Sequence, residues 1–301
     1  MPSRGTCATN AALLVFLAFA GMATAAGFHG SRISLAQALP DERTGNSRTF
    51  LGFDSNEYPG DVSLESLKRT FSFSGYWLNN PPGEKSNEWT GKREALRAAG
   101  FGFLVLFNGR LERELNLPAE PSSTGTRDAE SAANAAAQEG FPPGTIIFLD
   151  QEEGGRMTAR QMSYILAWID ALTKTGYRAG IYCSGMPARE GKNQFIVTAN
   201  DIRSRAVPRS ITFFVYDDAC PPSPGCVYQQ DPLSPAASGV PYASIWQFAQ
   251  SPRRHAFTAH CRSTYALDGN CYPPASNPGS AQPRLLLDLD TASSSDPSQG
   301  R

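Results

Sequence analysis

The chain has 301 residues, of which 41% are hydrophobic and 18% charged, and 27 lysine and arginine residues stand against 28 aspartate and glutamate residues. This composition is globular and argues against a disordered, collagen-like or coiled-coil chain. The formal net charge of -1 provides no extended positive field, so we expect no nucleic-acid partner and no binding to anionic membranes.

The N-terminal segment has the pattern of a secretory signal peptide. Arg4 precedes an apolar run from Ala11 to Met22, and Ala23-Thr24-Ala25 is a small-x-small cleavage site. The run is shorter than the roughly 20 apolar residues that a membrane-spanning helix needs, and no later stretch approaches that length. We expect cleavage near Ala25, a secreted mature chain (extracellular or periplasmic) without a membrane span, and a polar spacer over residues 26–47.

Eight short apolar or β-branched runs follow and predict buried strands. Several are apolar at consecutive positions, as in strands that are covered on both faces. They are TFLGFD (49–54), FSFSGYWL (71–78), FGFLVLF (101–107), TIIFLD (145–150), YRAGIYC (177–183), ITFFVYD (211–217), ASIWQFA (243–249) and RLLLDLD (284–290). The first and last begin 235 residues apart over seven intervals, a mean near 34, which is about one βα unit each.

Helical patterns fill several of the gaps between these strands. Thr158 and Gln161 form a capping box ahead of an apolar stripe that ends at Gly176. Further helices are predicted over residues 64–69, 92–99 and 128–139.

The alternation of strands and helices predicts a single-domain α/β protein, a (β/α)8 TIM barrel over residues 48–292. An open doubly wound sheet is the rival fold, but GFDSNEYPGD after the first strand lacks the GxGxxG phosphate turn. We expect irregular, disulfide-closed loops in the C-terminal part and a disordered tail over residues 293–301.

Five cysteines remain after signal cleavage, which in an oxidising compartment indicates two disulfides and one free thiol. Cys220 with Cys226 and Cys261 with Cys271 would each close a short loop rich in proline, glycine or asparagine. Cys183 lies in the apolar segment AGIYCSG and is expected to be the buried free thiol.

Acidic residues stand at the ends of three predicted strands, where the active site of a barrel forms. Asp54 ends the first strand, Asp150 and Glu152 end the fourth, and Asp288 and Asp290 end the eighth. Side chains alternate along a strand, so Asp150 and Glu152 share one face, as do Asp288 and Asp290. The first and eighth strands are neighbours in a closed barrel, which brings Asp288 close to Asp54.

Several carboxylates that face each other in one cleft have pKa values pushed apart, so that one stays protonated as a general acid while another stays negative. Glycosidic bond cleavage requires this pair of states. Two alternatives remain open: the acids could be solvated or salt-bridged strand ends, or Asp54, Asp150 and Asp288 could bind a hard cation. No histidine lies nearby, so we predict neither a metal nor another cofactor.

Sugar-binding sites place flat aromatic faces beside polar groups. The candidates for substrate contact are Tyr76, Trp77, Asn108, Tyr182, Tyr216, Trp246, Gln247 and Asp290. For any single aromatic residue, a place in the barrel core is the alternative. Arg110, just after the third strand, could lie at the mouth or form a salt bridge, and Glu153 is expected to be structural.

The motifs GFDSN (52–56), FLDQE (148–152), GIYCS (180–184), IWQFA (245–249) and LLDLD (286–290) stand in an order that resembles the glycoside hydrolase family 25 lysozymes, the N-acetylmuramidases. The resemblance is closer to their relatives, the glycoside-hydrolase-like domains of unknown function 1906. It covers about residues 49–292. The segment GYWLNNPPG departs from the muramidase pattern and is similar to these less characterised relatives.

The muramidase resemblance implies that Glu152 donates the proton to the leaving oxygen and that Asp150 stabilises the positive intermediate by orienting the substrate acetamido group. Asp54 and Asp288 would bind sugar and tune the charges, and Tyr216 and Trp246 would be the preferred aromatic pair. We therefore expect a secreted, monomeric glycosidase that acts on peptidoglycan or a related polysaccharide. A non-catalytic glycan-binding module and a structural envelope protein are the competing predictions.

Overall fold

The structure is a computed structural model, and it describes residues 48–116, 119–219, 223–254, 264–274 and 285–301. The predicted signal peptide and spacer lie outside the described residues. Within the described part of the chain, no helix is both long enough and apolar enough to cross a membrane.

Eight strands form a closed barrel, as the sequence predicts. Its members in spatial order are β1 (Phe50–Asp54), β10 (Asp288–Ala292), β9 (Ile245–Ala249), β8 (Thr212–Tyr216), β5 (Arg178–Ser184), β4 (Ile146–Asp150), β3 (Gly102–Asn108) and β2 (Phe73–Trp77). The strands β2, β4 and β9 are buried at every position, because helices and loops cover their outer faces while side chains fill the barrel. The two remaining strands, β6 (Pro187–Arg189) and β7 (Phe195–Val197), pair as a small antiparallel hairpin after β5.

The eighth strand of the barrel differs from the expected parallel one. β10 runs antiparallel to both of its neighbours, β1 and β9. It begins at Asp288 rather than ending at Asp290, so Asp288 lies at the mouth as the first residue of its strand. In this register Asp54 stands opposite Asp288, and Gly52 stands opposite Asp290.

Five α-helices are described, and four of them match predicted segments. They are α1 (Leu64–Lys68), α2 (Arg93–Ala98), α3 (Pro121–Gln138), α4 (Ala159–Lys174) and α5 (Thr198–Ala206). The capping box at α4 is confirmed, since Thr158 accepts from the Gln161 backbone and the Gln161 side chain accepts from the Thr158 backbone. α3 begins seven residues before the predicted start at residue 128, with Pro121 in its first turn. Proline is tolerated there because the backbone N–H groups of the first turn have no partner within the helix.

The described segments between β8 and β10 are largely irregular apart from β9. Among the described residues between β8 and β10 there is no α-helix, and Pro235–Ser238 forms a short 3-10 turn. A disulfide joins Cys226 to Cys271 across a sequence separation of 45. The predicted pairings of Cys226 with Cys220 and of Cys271 with Cys261 are therefore wrong, because the fold brings the two loops after β8 and β9 together. Cys220 and Cys261 lie outside the described residues, and Cys183 is a free, buried thiol as predicted.

The last residues of the chain are ordered against the barrel base, which differs from the expected disordered tail. Ser298 is fully buried, and its Oγ accepts a hydrogen bond from the Val105 backbone at 2.8 Å while its carbonyl oxygen accepts one from the Ile146 backbone at 2.8 Å. The Asp296 carboxylate accepts from the backbone of Phe103 at 2.8 Å. The two side chains satisfy backbone N–H groups of β3, and the Ser298 carbonyl satisfies one of β4, which a polar sequence pattern alone does not reveal.

Candidate active site

A cleft of about 430 Å³ opens at the barrel mouth, where the parallel strands end and β10 begins. The side chains that line it are Asp54, Asn56, Trp77, Pro82, Leu106, Asp150, Glu152, Tyr182, Phe214, Gln247, Gln250 and Asp288. The four acidic residues assigned to catalysis from the sequence, Asp54, Asp150, Glu152 and Asp288, thus converge on one cleft.

Asp150 and Glu152 form a pair on the β4 side of the cleft. Asp150 is 4% exposed, and burial together with the charges of Glu152 and Asp54 raises its pKa well above the usual value. Burial also raises the pKa of Glu152, while the charge of Arg254 and the hydrogen-bonding interaction with Asp150 lower it. The two carboxyl groups lie within hydrogen-bonding reach of each other, so a proton on one of them can be donated to the other.

Asp54 and Asp288 lie on the opposite side and are bridged by Gln247. The Gln247 amide Nε2 donates to Asp54 Oδ2 at 2.9 Å and to Asp288 Oδ2 at 3.3 Å. Its Oε1 accepts from the Tyr182 hydroxyl at 2.7 Å, and that hydroxyl in turn accepts from Gln250 Nε2 at 3.0 Å. An amide whose oxygen is held by Tyr182 must present its N–H groups to the carboxylates, so both acids are held as hydrogen-bond acceptors.

The pKa of Asp54 is raised to about 6, first of all by burial. The hydrogen bonds from Gln247 and from Asp290 lower this pKa, and the charge of Glu152 raises it. The pKa of Asp288 lies well above its usual value because of burial and the charge of Asp54, although the Ser251 backbone N–H donates to Asp288 Oδ1 at 2.5 Å.

A positive charge stands beside the cleft. The Arg254 guanidinium stacks over the Tyr216 ring at 4.9 Å from its centroid, and Nη1 donates to the Tyr216 hydroxyl at 3.2 Å. Among the described residues, no lysine, arginine or histidine forms an ion pair with Glu152 within 4.0 Å. The charge of Arg254 therefore lowers the pKa of Glu152, although no basic side chain among the described residues forms an ion pair with Glu152.

Asp290 lies below the cleft rather than in its lining, which corrects its predicted role in substrate contact. Its side chain shares the inner face of β10 with Asp288, one layer deeper, and is fully buried. A substrate in the cleft therefore does not contact this carboxyl group.

The comparison with known protein families identifies the central part of the barrel. Residues 74–211 match the Rv2525c-like, glycoside hydrolase-like domain family. The matched segment runs from β2 to the residue before β8 and contains Asp150 and Glu152. The resemblance to glycoside hydrolase-like domains is thereby confirmed. None of the curated proteins compared with the chain matches it.

Two solved structures share this fold at TM-scores of 0.50 or above, and a third is similar at a lower score. An uncharacterized protein of B. stearothermophilus is 19% identical, with a TM-score of 0.52 over 81% of this chain and 95% of that one. The catalytic domain of endolysin ply40, from bacteriophage P40 of Listeria monocytogenes, is 15% identical, with a TM-score of 0.50 over 84% of this chain and 98% of that one. The Mycobacterium tuberculosis Tat-secreted protein Rv2525c is 12% identical, with a TM-score of 0.46 over 81% of this chain and 94% of that one. At these identities the likeness concerns the fold alone.

Of the aromatic residues predicted to contact substrate, some face the barrel interior and others face outward from their strand. Trp77 and Tyr182 line the cleft. Tyr76 and Trp246 do not, because they point outward: Tyr76 donates to Glu139, and Trp246 Nε1 donates to the Asp217 carbonyl at 2.9 Å. Their prediction as substrate contacts is wrong, since adjacent residues of one strand face opposite sides.

Tyr216 and Asn108 lie at the mouth but outside the cleft lining. The Tyr216 ring packs beside Tyr182, with ring centroids 5.7 Å apart, and the Arg254 guanidinium stacks over it. Asn108 Nδ2 donates to the Asn80 carbonyl at 2.9 Å, so its side chain holds the loop after β2 in place.

Two other sequence predictions concerned polar residues outside the cleft. Arg110 forms a bidentate ion pair with Asp128, at 2.8 and 3.1 Å, which is the salt-bridge alternative. Glu153 accepts from the Glu112 backbone at 2.7 Å and from Gln161 Nε2 at 2.6 Å, which is a structural role as predicted.

Sequence reasoning missed Asn56 and Gln250, which bring amide groups to the cleft, and Leu106 and Phe214, which form its apolar floor. Asn56 lies two residues beyond Asp54, so the period-two rule that selected Glu152 after Asp150 could have found it. Gln250 follows β9 in an irregular segment, and no strand pattern marks it. Among the described residues, no group of three or more histidine, cysteine, aspartate or glutamate side chains is arranged to hold a metal ion.

Proposed function

We propose that this protein is a secreted glycoside hydrolase that cleaves the glycosidic bonds of peptidoglycan or a related N-acetylated polysaccharide. The observation that carries the proposal is the convergence of Asp54, Asp150, Glu152 and Asp288 on one cleft at the mouth of a glycoside hydrolase-like barrel. The family match, the endolysin catalytic domain among the structures with the same fold, and the predicted signal peptide support it.

Glu152 is the proton donor in this proposal. A carboxyl group can serve as a general acid near neutral pH when its surroundings raise its pKa, and burial does so at Glu152. The proton that Glu152 shares with Asp150 passes to the glycosidic oxygen as the carbon–oxygen bond breaks. Water then adds to the anomeric carbon, and its proton returns to the pair.

When the proton is on Glu152, Asp150 is ionised. Its carboxylate then stabilises the positive charge at the anomeric carbon. The resemblance to the muramidases implies that Asp150 orients an acetamido group of the substrate, which is why we propose an N-acetylated sugar. Asp54 and Asp288, fixed by Gln247, add negative charge on the far side of the cleft. Such fixed charges stabilise a developing cation without reorganisation.

Trp77 and Tyr182 supply the aromatic surfaces for the sugar. Both side chains line the cleft, and their orientations are fixed: Trp77 Nε1 donates to the Ser55 carbonyl at 3.1 Å, and the Tyr182 hydroxyl donates to Gln247. Pyranose C–H groups pack against such rings while their hydroxyl groups bond to neighbouring amides.

Release of reducing ends from purified peptidoglycan and from chitin-like oligomers tests this function. We expect turnover by the parent protein and a loss of at least about a hundredfold in Glu152→Gln, which keeps the shape of the side chain and removes the acid. Glu153→Gln is the matched control, because it makes the same change one residue away, outside the cleft, and should keep the parent rate.

Absence of turnover in the parent on all of these substrates would overturn the hydrolase proposal for them. Retention of the glycan in a pull-down by that inactive parent would then favour the alternative, a non-catalytic glycan-binding module on the same barrel. Equal losses in Glu152→Gln and Glu153→Gln would indicate damage to the fold and would contradict the assigned role of Glu152.

A further inference from the structure

Asp290 is the acidic residue that the proposed mechanism does not use. It lies on the inner face of β10, opposite Gly52 of β1 and Gln247 of β9, in the layer beneath Asp54 and Asp288. Its relative exposure is 0%, so water does not solvate its carboxyl group. A buried carboxylate without compensation is expensive, and its surroundings must therefore determine which form it takes.

Neither carboxyl oxygen of Asp290 receives a hydrogen bond from a donor among the described residues. The Asp54 carboxyl group lies within hydrogen-bonding reach of it, two residues along β1 from the Gly52 that pairs with Asp290. Two carboxylates cannot form such a bond, because neither has a donor hydrogen. The two groups can therefore bond to each other only when one of them carries a proton.

The hydrogen-bond network determines which one. Asp54 accepts from the Gln247 amide at 2.9 Å, and Tyr182 fixes the orientation of that amide. Hydrogen bonds donated to a carboxyl group favour its ionised form, and Asp54 has such a donor whereas Asp290 has none in the described part of the chain. The proton therefore belongs on Asp290.

We propose that Asp290 is a neutral carboxylic acid at physiological pH and a positioning residue, which donates its proton in a hydrogen bond to Asp54 and so holds Asp54 ionised beneath the substrate. This inference rests on the proposed function only in one respect, that the Asp54 charge stabilises a developing cation on the substrate. The protonation state of Asp290 is a property of the folded chain and can be measured without substrate.

The charged groups around Asp290 agree with this assignment. Asp54 on β1 and Asp288 at the start of β10 face it, and burial, followed by these two negative charges, raises the pKa of Asp290 well above its usual value. Asp54 also faces Glu152 across the cleft, and the charge of Glu152 raises the pKa of Asp54. Without the bond from Asp290, the pKa of Asp54 would rise above its value of about 6, and Asp54 would lose its charge near neutral pH.

Infrared difference spectroscopy on the full protein at neutral pH provides the direct test. Replacement Asp290→Asn should remove the carbonyl band of a protonated carboxylic acid and leave the carboxylate bands unchanged. Asp61→Asn is the matched control, because Asp61 is an exposed acid whose pKa is lowered by Tyr58 and Lys92, and this change should remove carboxylate bands. Loss of carboxylate bands in Asp290→Asn would overturn the proposal.

Titration of Asp54 tests the positioning role. In protein with 13C-labelled aspartate carboxyl groups, assigned with Asp54→Asn, the Asp54 pKa should stay near that of the parent in Asp290→Asn, because the asparagine N–H donates in place of the acid. In Asp290→Ala it should rise by about one unit or more, since a hydrogen bond to a charged group is lost. An equal rise in Asp290→Asn would contradict the proposal.

The two readouts separate the possible failures. If the parent shows no hydrolysis, the infrared and titration results still decide the state of Asp290. If Asp290→Ala does not fold because of the cavity that it leaves, the parent, Asp290→Asn and Asp61→Asn still give a decisive comparison. If the parent is a hydrolase, Asp290→Asn should keep most of its activity, and a loss as large as that of Glu152→Gln would overturn the positioning role.

Discussion

At the scale of single residues, the guanidinium of Arg254 influences the charge of Glu152. Burial raises the pKa of Glu152, and the Arg254 charge opposes this effect. Stacking on Tyr216 and the hydrogen bond to the Tyr216 hydroxyl hold the guanidinium in position. The protonation of the proposed acid therefore depends on a side chain outside the cleft lining.

Replacement Arg254→Gln should raise the pKa of Glu152, because it removes a positive charge that favours the ionised form. If protonated Glu152 is the general acid, activity falls as pH rises through this pKa, so the alkaline limb of the pH profile of kcat/KM should move to higher pH. The profile of hydrolysis is the measurement. Arg97→Gln, on the exposed face of α2, is the control and should leave both limbs in place. An unmoved alkaline limb in Arg254→Gln would contradict this role.

The sequence predicted the acidic residues of the cleft better than its aromatic ones. Asp54, Asp150 and Asp288 come together because each stands at the mouth end of a strand, which a strand pattern reveals. The aromatic prediction named neighbours on one strand, Tyr76 with Trp77 and Trp246 with Gln247, and one of each pair must face away from the barrel interior. The face of a strand buried on both sides cannot be assigned from hydrophobicity alone.

At the scale of helices and strands, the contact between α3 and α4 depends on a glycine. A Cβ atom added at Gly125 would lie 2.3 Å from the Tyr164 carbonyl oxygen and 3.1 Å from the Trp168 backbone nitrogen. These are backbone atoms of α4, so the two helices would have to separate. The close approach of the helices explains a glycine inside an 18-residue helix.

Replacement Gly125→Ala should destabilise the protein by about 1–3 kcal/mol through overpacking, although alanine favours a helix by about 1 kcal/mol over glycine. Urea unfolding measures the change. Asn134→Ala, on the exposed face of the same helix, should instead stabilise by a few tenths of a kcal/mol, because it improves helix propensity without a new contact. Equal effects of the two changes would show that the helix contact tolerates a methyl group.

Local patterns predicted the strands and most of the helices, whereas features set by distant contacts were missed. The apolar runs and the Thr158 capping box are local signals, and both correspond to observed elements. The antiparallel direction of β10 and the Cys226–Cys271 disulfide depend on how the last third of the chain returns to the barrel. Helix α5, with the polar sequence TANDIRSRA, has too few apolar residues to show a helical period.

At the scale of the whole molecule, the acidic cleft opposes stability at neutral pH. Burial raises the pKa values of Asp54, Asp150, Asp288 and Asp290 above those of an unfolded chain. The folded protein thus binds more protons than the unfolded chain above about pH 4, and its stability falls as pH rises through the raised pKa values.

The thermal midpoint of unfolding should therefore be higher at pH 5 than at pH 8. Asp54, with a pKa of about 6, contributes to this slope, so Asp54→Asn should flatten it and should also stabilise the protein at pH 8. Calorimetry at the two pH values is the measurement. Asp61→Asn serves as a control, because Asp61 has a lowered pKa and should leave the slope above pH 5 unchanged. A midpoint that rises from pH 5 to pH 8 would contradict the expectation.

The pairing of β1 with β10 also fixes when the cleft can form during synthesis. Asp54 and Asp288 belong to the first and last strands of the barrel, and they face each other through a contact that joins the two ends of the domain. Contacts between such distant parts of a chain form late, because the loop between them must first become ordered. A nascent chain that still lacks β10 has Asp150 and Glu152 but not the Asp54–Asp288 pair. The complete acidic set is thus assembled only after the entire domain has been synthesised.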